Sequence, residues 1–165
     1  NQRLLEDTRE NVFITMIYGI LELASGRLRF VRAGHEPLLL VGPDGRRLRE
    51  LSPPGIALGL VSRDLFEHNE EVEIQLMPGQ TALFYTDGLV EAMGQSMEEY
   101  GRIRLAERLK TWNDKGARGL IEALVNDIHQ FTRGFPQSDD ITLLAIRALA
   151  PRGAAPIPTT EQRTA

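Results

Sequence analysis

Residues 12–23 form an almost uninterrupted apolar stretch, Val12-Phe13-Ile14-Thr15-Met16-Ile17-Tyr18-Gly19-Ile20-Leu21-Glu22-Leu23. In a β-strand, successive side chains point to opposite faces of the sheet. Both alternating sets are apolar here, one of them Val12, Ile14, Met16 and Tyr18 and the other Phe13, Ile17 and Leu21. This pattern predicts a strand that is buried on both faces.

Two hairpins are predicted next to this stretch. Ala24-Ser25-Gly26 is typical of a turn, and residues 27–33 are expected to return as an antiparallel partner of the first strand. Residues 38–41 form a further strand, which Gly42-Pro43-Asp44-Gly45 closes before residues 46–51 return. Pro and Gly suit tight turns because their backbone angles match those that a turn requires.

The remaining elements complete an α+β pattern. Residues 52–60 contain two prolines and two glycines and are predicted to be a loop. Strands are predicted at residues 70–76, 81–85 and 141–147, and helices at residues 2–7, 102–110 and 118–131. We expect one domain over residues 1–149. Residues 150–165 are rich in Pro, Ala and Thr, which predicts a disordered tail or linker.

The composition excludes several classes of function. The 165 residues carry a net charge of -4 and contain no cysteine. An acidic chain has no general basic surface for nucleic acid, so none is expected as a partner. Thiolate catalysis and sulfur-ligated metals are excluded, and hard cations such as Mg²⁺ or Mn²⁺ are favoured. No apolar run reaches the ~20 residues that span a bilayer, so we expect a cytoplasmic protein without membrane contact.

Asp87 is the first candidate for chemistry. Thr86-Asp87-Gly88 directly follows the predicted strand at residues 81–85, so that a carboxylate emerges at a strand end beside a glycine. A glycine there allows another group to approach closely. Metal binding is one interpretation, and capping of a short helical stretch at residues 89–93 is the other.

Asp139 and Asp140 are the second candidates, because they stand at the entry to the apolar strand 141–147. Two like charges near a low-dielectric core are costly unless a cation or hydrogen-bond donors compensate them. A solvated pair of loop residues is the alternative. His35, in Gly34-His35-Glu36-Pro37, offers an imidazole between two strands, but a lone histidine more often packs or donates hydrogen bonds.

Taken together, the segments resemble the successive signatures of SpoIIE-like phosphatases over approximately residues 1–149. The segments that carry this resemblance are Phe13-Ile14-Thr15-Met16-Ile17-Tyr18-Gly19-Ile20-Leu21-Glu22, Gly26-Arg27-Leu28-Arg29-Phe30-Val31-Arg32-Ala33-Gly34-His35-Glu36-Pro37, Gly55-Ile56-Ala57-Leu58-Gly59, Leu83-Phe84-Tyr85-Thr86-Asp87-Gly88-Leu89-Val90-Glu91-Ala92 and Asp139-Asp140-Ile141-Thr142-Leu143-Leu144.

The resemblance implies the fold and site of metal-dependent protein phosphatases (PPM). The implied fold is two antiparallel sheets packed face to face, flanked by helices, with a binuclear Mn²⁺ or Mg²⁺ site at one end. Asp87 and Asp139 match the family's metal-binding and catalytic aspartates, and Asp140 is a further candidate ligand. The family also takes a ligand from an upstream Gly-Asp-Val-Ser-Gly-like motif that these residues lack. We therefore expect an N-terminally truncated domain with weak or no activity of its own.

The resemblance also implies a substrate. The expected reaction is hydrolysis of phosphoserine or phosphothreonine by a metal-activated water, on a phosphorylated protein that is an anti-sigma-factor antagonist. The alternative is a non-catalytic regulatory or binding module with an incomplete metal site. If upstream strands are missing, the strand at residues 12–23 has an unpaired edge. The chain is then expected to associate with itself, with a homodimer as one form.

Overall fold

The computed structural model describes residues 1–7, 12–62, 66 and 69–150. The predicted tail, apart from Ala150, lies outside the described residues. The helices are α1 (Gln2–Asp7), α2 (Arg102–Trp112) and α3 (Gly116–Thr132). The strands are β1 (Met16–Glu22), β2 (Arg27–Ala33), β3 (Leu38–Val41), β4 (Leu48–Leu51), β5 (Glu71–Gln75), β6 (Thr81–Tyr85) and β7 (Leu143–Arg147).

These strands form two antiparallel sheets, which confirms the predicted α+β sandwich. The first sheet has the order β1-β2-β5 and the second the order β4-β3-β6-β7. Both predicted hairpins are present, since β1 pairs with β2 and β3 pairs with β4. Strands β2, β3 and β6 have the predicted bounds, and the other four are two to five residues shorter than predicted. Residues 12–15 contribute only an isolated bridge between Ile14 and Leu58.

Two hydrophobic cores lie on opposite faces of the four-stranded sheet. On the outer face, α2 and α3 cover β3 and β6 through leucines spaced by four along each helix. Its buried members include Leu39, Leu83, Tyr85, Leu105, Leu109, Leu120, Leu124 and Ile128. On the inner face, the two sheets pack against each other through Leu28, Phe30, Leu38, Leu40, Ile74 and Ala82. Strand β3 contributes to both cores, and all four of its residues are buried.

Strand β1 does not have the buried environment that its sequence predicts. It is the edge of its sheet, and within the described residues no helix covers its outer face. Tyr18 and Ile20 are 57% and 47% exposed on that face. Ile17 and Leu21 point inward but are only half-buried, because they border a gap of about 270 Å³ between β1 and β7. The prediction of burial on both faces is therefore wrong for these residues.

Asn113 closes one end of the sandwich. It is 2% exposed and follows α2 directly. Its side-chain amide donates to the carbonyls of Gly42 at 2.8 Å and Pro43 at 3.2 Å, which come immediately after β3. The Thr81 hydroxyl donates to the side-chain Oδ1 of Asn113 at 2.9 Å, and the Arg147 guanidinium donates to the Thr81 hydroxyl at 3.0 Å. Buried polar groups at this end are thus paired, as stability requires.

Candidate metal site

Asp87 lies at the opposite end of β6 from Thr81, where the strand turns into a short 3₁₀ helix, Asp87–Leu89. The side chain is exposed. Its Oδ1 accepts the backbone N–H of Gly88 at 3.0 Å, while Thr86, not Asp87, occupies the N-cap position. Within the described part of the chain, Oδ2 has no hydrogen bond, so it is open to a ligand. The capping interpretation therefore explains only one of the two Asp87 carboxylate oxygens.

Asp139 and Asp140 lie in the loop that precedes β7. Asp139 Oδ1 accepts the N–H of Asp140 at 2.7 Å, and the Gln137 side-chain amide donates to the Asp139 carbonyl at 2.6 Å. These bonds shape the loop. Both aspartates are exposed beside an open polar depression lined by residues 137–140. The predicted cost of burying two like charges does not arise here, because water reaches both carboxylates.

The two aspartate loops adjoin each other. The Thr86 hydroxyl donates to the Asp140 carbonyl at 2.8 Å and accepts the N–H of Thr142 at 2.9 Å. Gly88 packs so tightly that a Cβ atom there would lie 2.7 Å from the Asp140 carbonyl oxygen and 3.1 Å from that of Asp139. A glycine is required at this contact because any side chain would clash. Residues more than fifty positions apart are thereby held at one end of the sandwich.

His35 lies close to this end without joining the aspartate loops. It lines the gap between β1 and β7 together with Thr86 and Thr142. Its Nδ1 is 3.3 Å from the Glu36 carbonyl oxygen, so the ring is already engaged locally. This arrangement agrees with a packing and hydrogen-bonding role for the histidine.

Glu36 is a partly buried acid that the sequence patterns did not single out. Its Oε1 accepts from the Arg102 guanidinium at 3.0 Å, and its Oε2 is buried without a hydrogen bond among the described residues. Burial raises the pKa of the Tyr85 phenol well above its ordinary value, and the nearby Glu36 carboxylate raises this pKa further. The only sequence signal was a charged residue two positions before a fully apolar strand. Glu36 thus links the β2–β3 connection to the start of α2, near Tyr85 at the end of β6.

The described residues carry carboxylates of the kind that bind divalent cations. Their oxygen donors suit Mg²⁺ and Mn²⁺, and the two loops that bear them adjoin. However, residues 1–7, 12–62, 66 and 69–150 contain no group of three or more His, Asp or Glu side chains placed to hold one ion. Asp87, Asp139 and Asp140 therefore fit a divalent cation only as members of a larger ligand set. None of the helices in these ranges is both long and apolar enough to cross a membrane.

The fold defined by these sheets and helices is that of PP2C-type phosphatase domains. The SiaA-PP2C domain of Pseudomonas aeruginosa superimposes with a TM-score of 0.63 at 28% identity, covering 73% of this chain and 46% of that domain structure. The chain belongs to the SpoIIE family, since the family model described as Stage II sporulation protein E matches residues 1–149. The family predicted from the motifs is confirmed.

Two further relatives support this assignment. The RsbU and RsbW domains of Rv1364c from Mycobacterium tuberculosis superimpose with a TM-score of 0.61 at 32% identity, covering 83% of this chain and 37% of that structure. Protein IcfG of Synechocystis sp. is 30% identical over 135 residues, which are 82% of this chain and 20% of IcfG. The chain therefore spans less than half of each of these relatives.

Proposed function

We propose that residues 1–149 belong to a metal-dependent protein serine/threonine phosphatase domain and that residues 150–165 are a tail or linker. The observation that carries this proposal is the junction of the Asp87 and Asp139 loops through Thr86 and Gly88. Ligands of one binuclear site must reach ions about 3.5–4 Å apart, and adjoining loops satisfy that need. Membership of the SpoIIE family and the PP2C-type fold also support a phosphatase function.

In this proposal Asp87 and Asp139 bind Mn²⁺ or Mg²⁺, and Asp140 is an additional candidate ligand. When bound, such a pair of ions supplies a water of lowered pKa that can attack the phosphorus of a phosphoserine or phosphothreonine. The protein's own contribution is to orient the carboxylates. Gly88 fixes one Asp87 oxygen and leaves the other open, and the Thr86 hydroxyl holds the Asp139 loop against the end of β6.

The proposed substrate is a phosphorylated regulatory protein of the anti-sigma-factor antagonist type, acted on in the cytoplasm. The motif resemblance supports this choice. So does the similarity to a Mycobacterium tuberculosis protein in which an RsbU domain accompanies an RsbW domain. The exposure of all three aspartates is compatible with a protein substrate, because a phosphoserine on another protein can reach them without a deep channel.

A second candidate function is a non-catalytic regulatory module that keeps the sandwich. The observation in its favour is that the described residues hold no group of three metal-ligating side chains. In this case the chain would bind its partner through the fold without hydrolysing phosphate. Metal binding and turnover distinguish the two candidates.

The test measures Mn²⁺ binding by calorimetry and Mn²⁺-dependent phosphate release from a phosphoserine protein. It compares the 165-residue chain with any longer form of the protein that contains it. We expect weak binding and little turnover in the former and robust turnover in the latter. There, Asp87→Asn and Asp139→Asn should each lower kcat/KM by at least ~100-fold, since a ligand to such ions is worth several kcal/mol.

The matched control is Asp114→Asn, an exposed aspartate that follows Asn113 at the other end of the sandwich. It should leave both binding and turnover unchanged. Full activity of Asp87→Asn would remove Asp87 from the site. Absence of Mn²⁺-dependent turnover in every form would favour the non-catalytic module.

A further inference from the structure

A polar pocket of about 410 Å³ lies on the outer, helical side of the four-stranded sheet. Its walls come from α2, from the C-terminal part of α3 and from the connection between β6 and α2. Three arginines line it, Arg104, Arg108 and Arg133. They are accompanied by the uncharged hydrogen-bonding side chains of Gln95, Ser96 and Gln130. The pocket is therefore rich in donors, and every residue that lines it belongs to the segment 95–133, outside both sheets.

Arg104 is held in place by aromatic rings. Its guanidinium carbon lies 4.3 Å from the centre of the Phe131 ring and 5.5 Å from the centre of the Tyr100 ring. These two rings meet edge to face, with their centres 5.5 Å apart. Within the part of the chain that the structure describes, this guanidinium has no hydrogen bond and no ion pair. A guanidinium that packs on aromatic faces keeps its N–H donors free, and these donors match the oxygens of an anion.

Asp127, one of the two acids in the pocket wall, already has its partners. Its Oδ2 accepts from the Arg108 guanidinium at 3.0 Å and from the Tyr100 hydroxyl at 2.8 Å. The same Arg108 guanidinium lies 5.2 Å from the centre of the Trp112 ring. These contacts satisfy Asp127 without Arg104, whose positive charge stays available to a ligand.

The second acid, Glu98, offsets the arginines only in part. It is exposed, and its carboxylate lies against Gly94, where a Cβ atom would be 2.6 Å from Oε1. Salt and water screen exposed charges, so Glu98 weakens the attraction for an anion without cancelling it. Arg104 and Arg133 have no ion pair among the described residues. The pocket therefore favours a negatively charged ligand.

We propose that this pocket binds the phosphate group of a phosphorylated serine or threonine on a partner protein, at a position separate from the metal site. A phosphoserine carries a charge of about -1.5 to -2 at pH 7 and three strong acceptor oxygens. Arginine binds such oxygens with paired N–H donors, and arginine clusters recur in the recognition of phosphorylated segments. A carboxylate, with two oxygens and a single charge, would use fewer of the donors in this pocket.

The turn beside the pocket favours a protein as the carrier of the phosphate. Met97 stands between the lining residues Ser96 and Glu98 and is 68% exposed. A bridge between Met93 and Glu99 closes this turn. Methionine is enriched at protein interfaces because its flexible side chain adapts to different partners. An apolar side chain at the rim can therefore contact the polypeptide that carries the phosphate.

The pocket lies on the segments that connect it to the two aspartate loops. The chain runs from the Asp87 loop into Gln95, and from Arg133 into the Asp139 loop. A phosphoprotein held at the pocket is therefore held close to the candidate metal site. Identifying this partner as the substrate rests on the proposed phosphatase function, whereas binding of phosphate by the pocket uses neither Asp87 nor Asp139.

The direct test titrates the 165-residue chain with a fluorescein-labelled Gly-Gly-phosphoserine-Gly-Gly peptide, read by fluorescence anisotropy. EDTA is present throughout, so that no divalent cation contributes to binding. We expect Arg104→Gln to weaken binding by at least ~10-fold, because it removes a charged donor worth more than about 1.4 kcal/mol. Glu98→Gln should tighten binding by up to ~5-fold, as expected for an exposed charge. The same peptide with serine or aspartate in place of phosphoserine should bind much more weakly.

Two further variants complete the test. Arg118→Gln is the matched control, since Arg118 is an exposed arginine at the other end of α3, and it should leave binding unchanged. Because Arg104 packs on two rings, its replacement could disturb the fold, which circular dichroism would reveal. Gln130→Glu avoids this problem, because it adds a negative charge to an exposed position of the wall with almost no change of shape. It should also weaken binding.

The role of the partner as substrate has its own readout. In a longer form of the protein with Mn²⁺-dependent turnover, Arg104→Gln should raise KM for a phosphoprotein and leave the turnover of p-nitrophenyl phosphate unchanged. An unchanged KM would overturn the assignment of the partner as substrate. If every form lacks turnover, the phosphatase proposal fails, but the peptide titration still decides whether the pocket binds phosphate.

Three results of the titration would overturn the pocket itself. The first is that the phosphoserine peptide does not bind in EDTA. The second is that the aspartate peptide binds as tightly, which would assign the pocket to carboxylates. The third is that Arg104→Gln and Gln130→Glu both bind like the unchanged chain, which would place the phosphate elsewhere on the protein.

Discussion

Strands β1 and β3 have the same kind of sequence and opposite environments. Both are continuous apolar runs, Met16–Glu22 and Leu38–Val41, apart from the terminal glutamate of β1. All four residues of β3 are buried, because β4 and β6 flank it in the sheet, helices cover one face and the other sheet covers the second. Among the described residues, strand β1 has one neighbouring strand, and nothing covers its outer face. An apolar run therefore shows that a strand can be buried, but the neighbouring strands and helices determine whether it is buried.

The largest expected effect comes from truncating one apolar side chain in each strand. Leu38→Ala should destabilise the fold by about 2–5 kcal/mol, because Leu38 is fully buried in the core between the sheets. Ile20→Ala should cost less than ~1 kcal/mol, because Ile20 is 47% exposed. Urea unfolding, at a concentration where the chain is monomeric, measures both. Equal losses would mean that β1 is covered in solution and would erase the contrast.

A second difference lies at the ends of the two strands. Asn113 donates to the carbonyls of Gly42 and Pro43 just beyond β3. Asn113→Ala removes these bonds and leaves the fully buried Thr81 hydroxyl without its acceptor. We expect a loss of about 1–3 kcal/mol of unfolding free energy. The control is Asn126→Ala, an exposed asparagine on α3 that should cost much less. A loss no greater than that of the control would show that water replaces the Asn113 side chain.

The smallest effect is expected at Glu22, which ends β1 in solvent. The Ser25 hydroxyl, which donates to this carboxylate, and then the Arg27 guanidinium, 3.1 Å away, lower its pKa. A lowered pKa in the folded state stabilises the fold above the unfolded pKa, and this contribution is lost as the pH falls through the folded pKa. Since Glu22 is exposed, the change in stability should be slight.

Titration of the Glu22 carboxyl carbon by NMR measures this pKa. Ser25→Ala should move it back towards the ordinary glutamate value, whereas Ser96→Ala, in another exposed loop, should not. An unchanged titration in Ser25→Ala would assign the shift to Arg27 alone.

Local patterns were sufficient to predict most elements of the fold. The spacing of Leu120, Leu124 and Ile128 predicted the buried face of α3, and Gly42-Pro43-Asp44-Gly45 predicted the β3–β4 turn. The exposure of β1 was not predictable, because it depends on which other strands and helices are nearby. The pairing of Thr86 with Asp140 and Thr142 spans more than fifty residues, and no local pattern encodes it. The same is true of Asn113, whose partners lie about seventy residues away.

At the end of the sandwich that carries the three aspartates, the sequence patterns predicted which residues bind metal, and these roles remain predictions. The motifs identified Asp87, Asp139 and Asp140, and the structure shows their loops in contact through Gly88. Their exposure differs from the low-dielectric setting expected for the aspartate pair, because β7 begins at Leu143, later than the predicted strand at residues 141–147. Glu36 was not singled out because its ion-pair partner, Arg102, lies sixty-six positions along the chain.

The close contact at Gly88 also determines how this end of the protein can be re-engineered. The Gly88 backbone fills the space beside the carbonyls of Asp139 and Asp140, so the two loops behave as interlocking parts. Lengthening residues 86–88 by one position would push the Asp139 loop outward unless that loop were lengthened as well. A loop grafted from a relative should therefore be transferred together with its counterpart, and only the matched pair should preserve the spacing between the two acids.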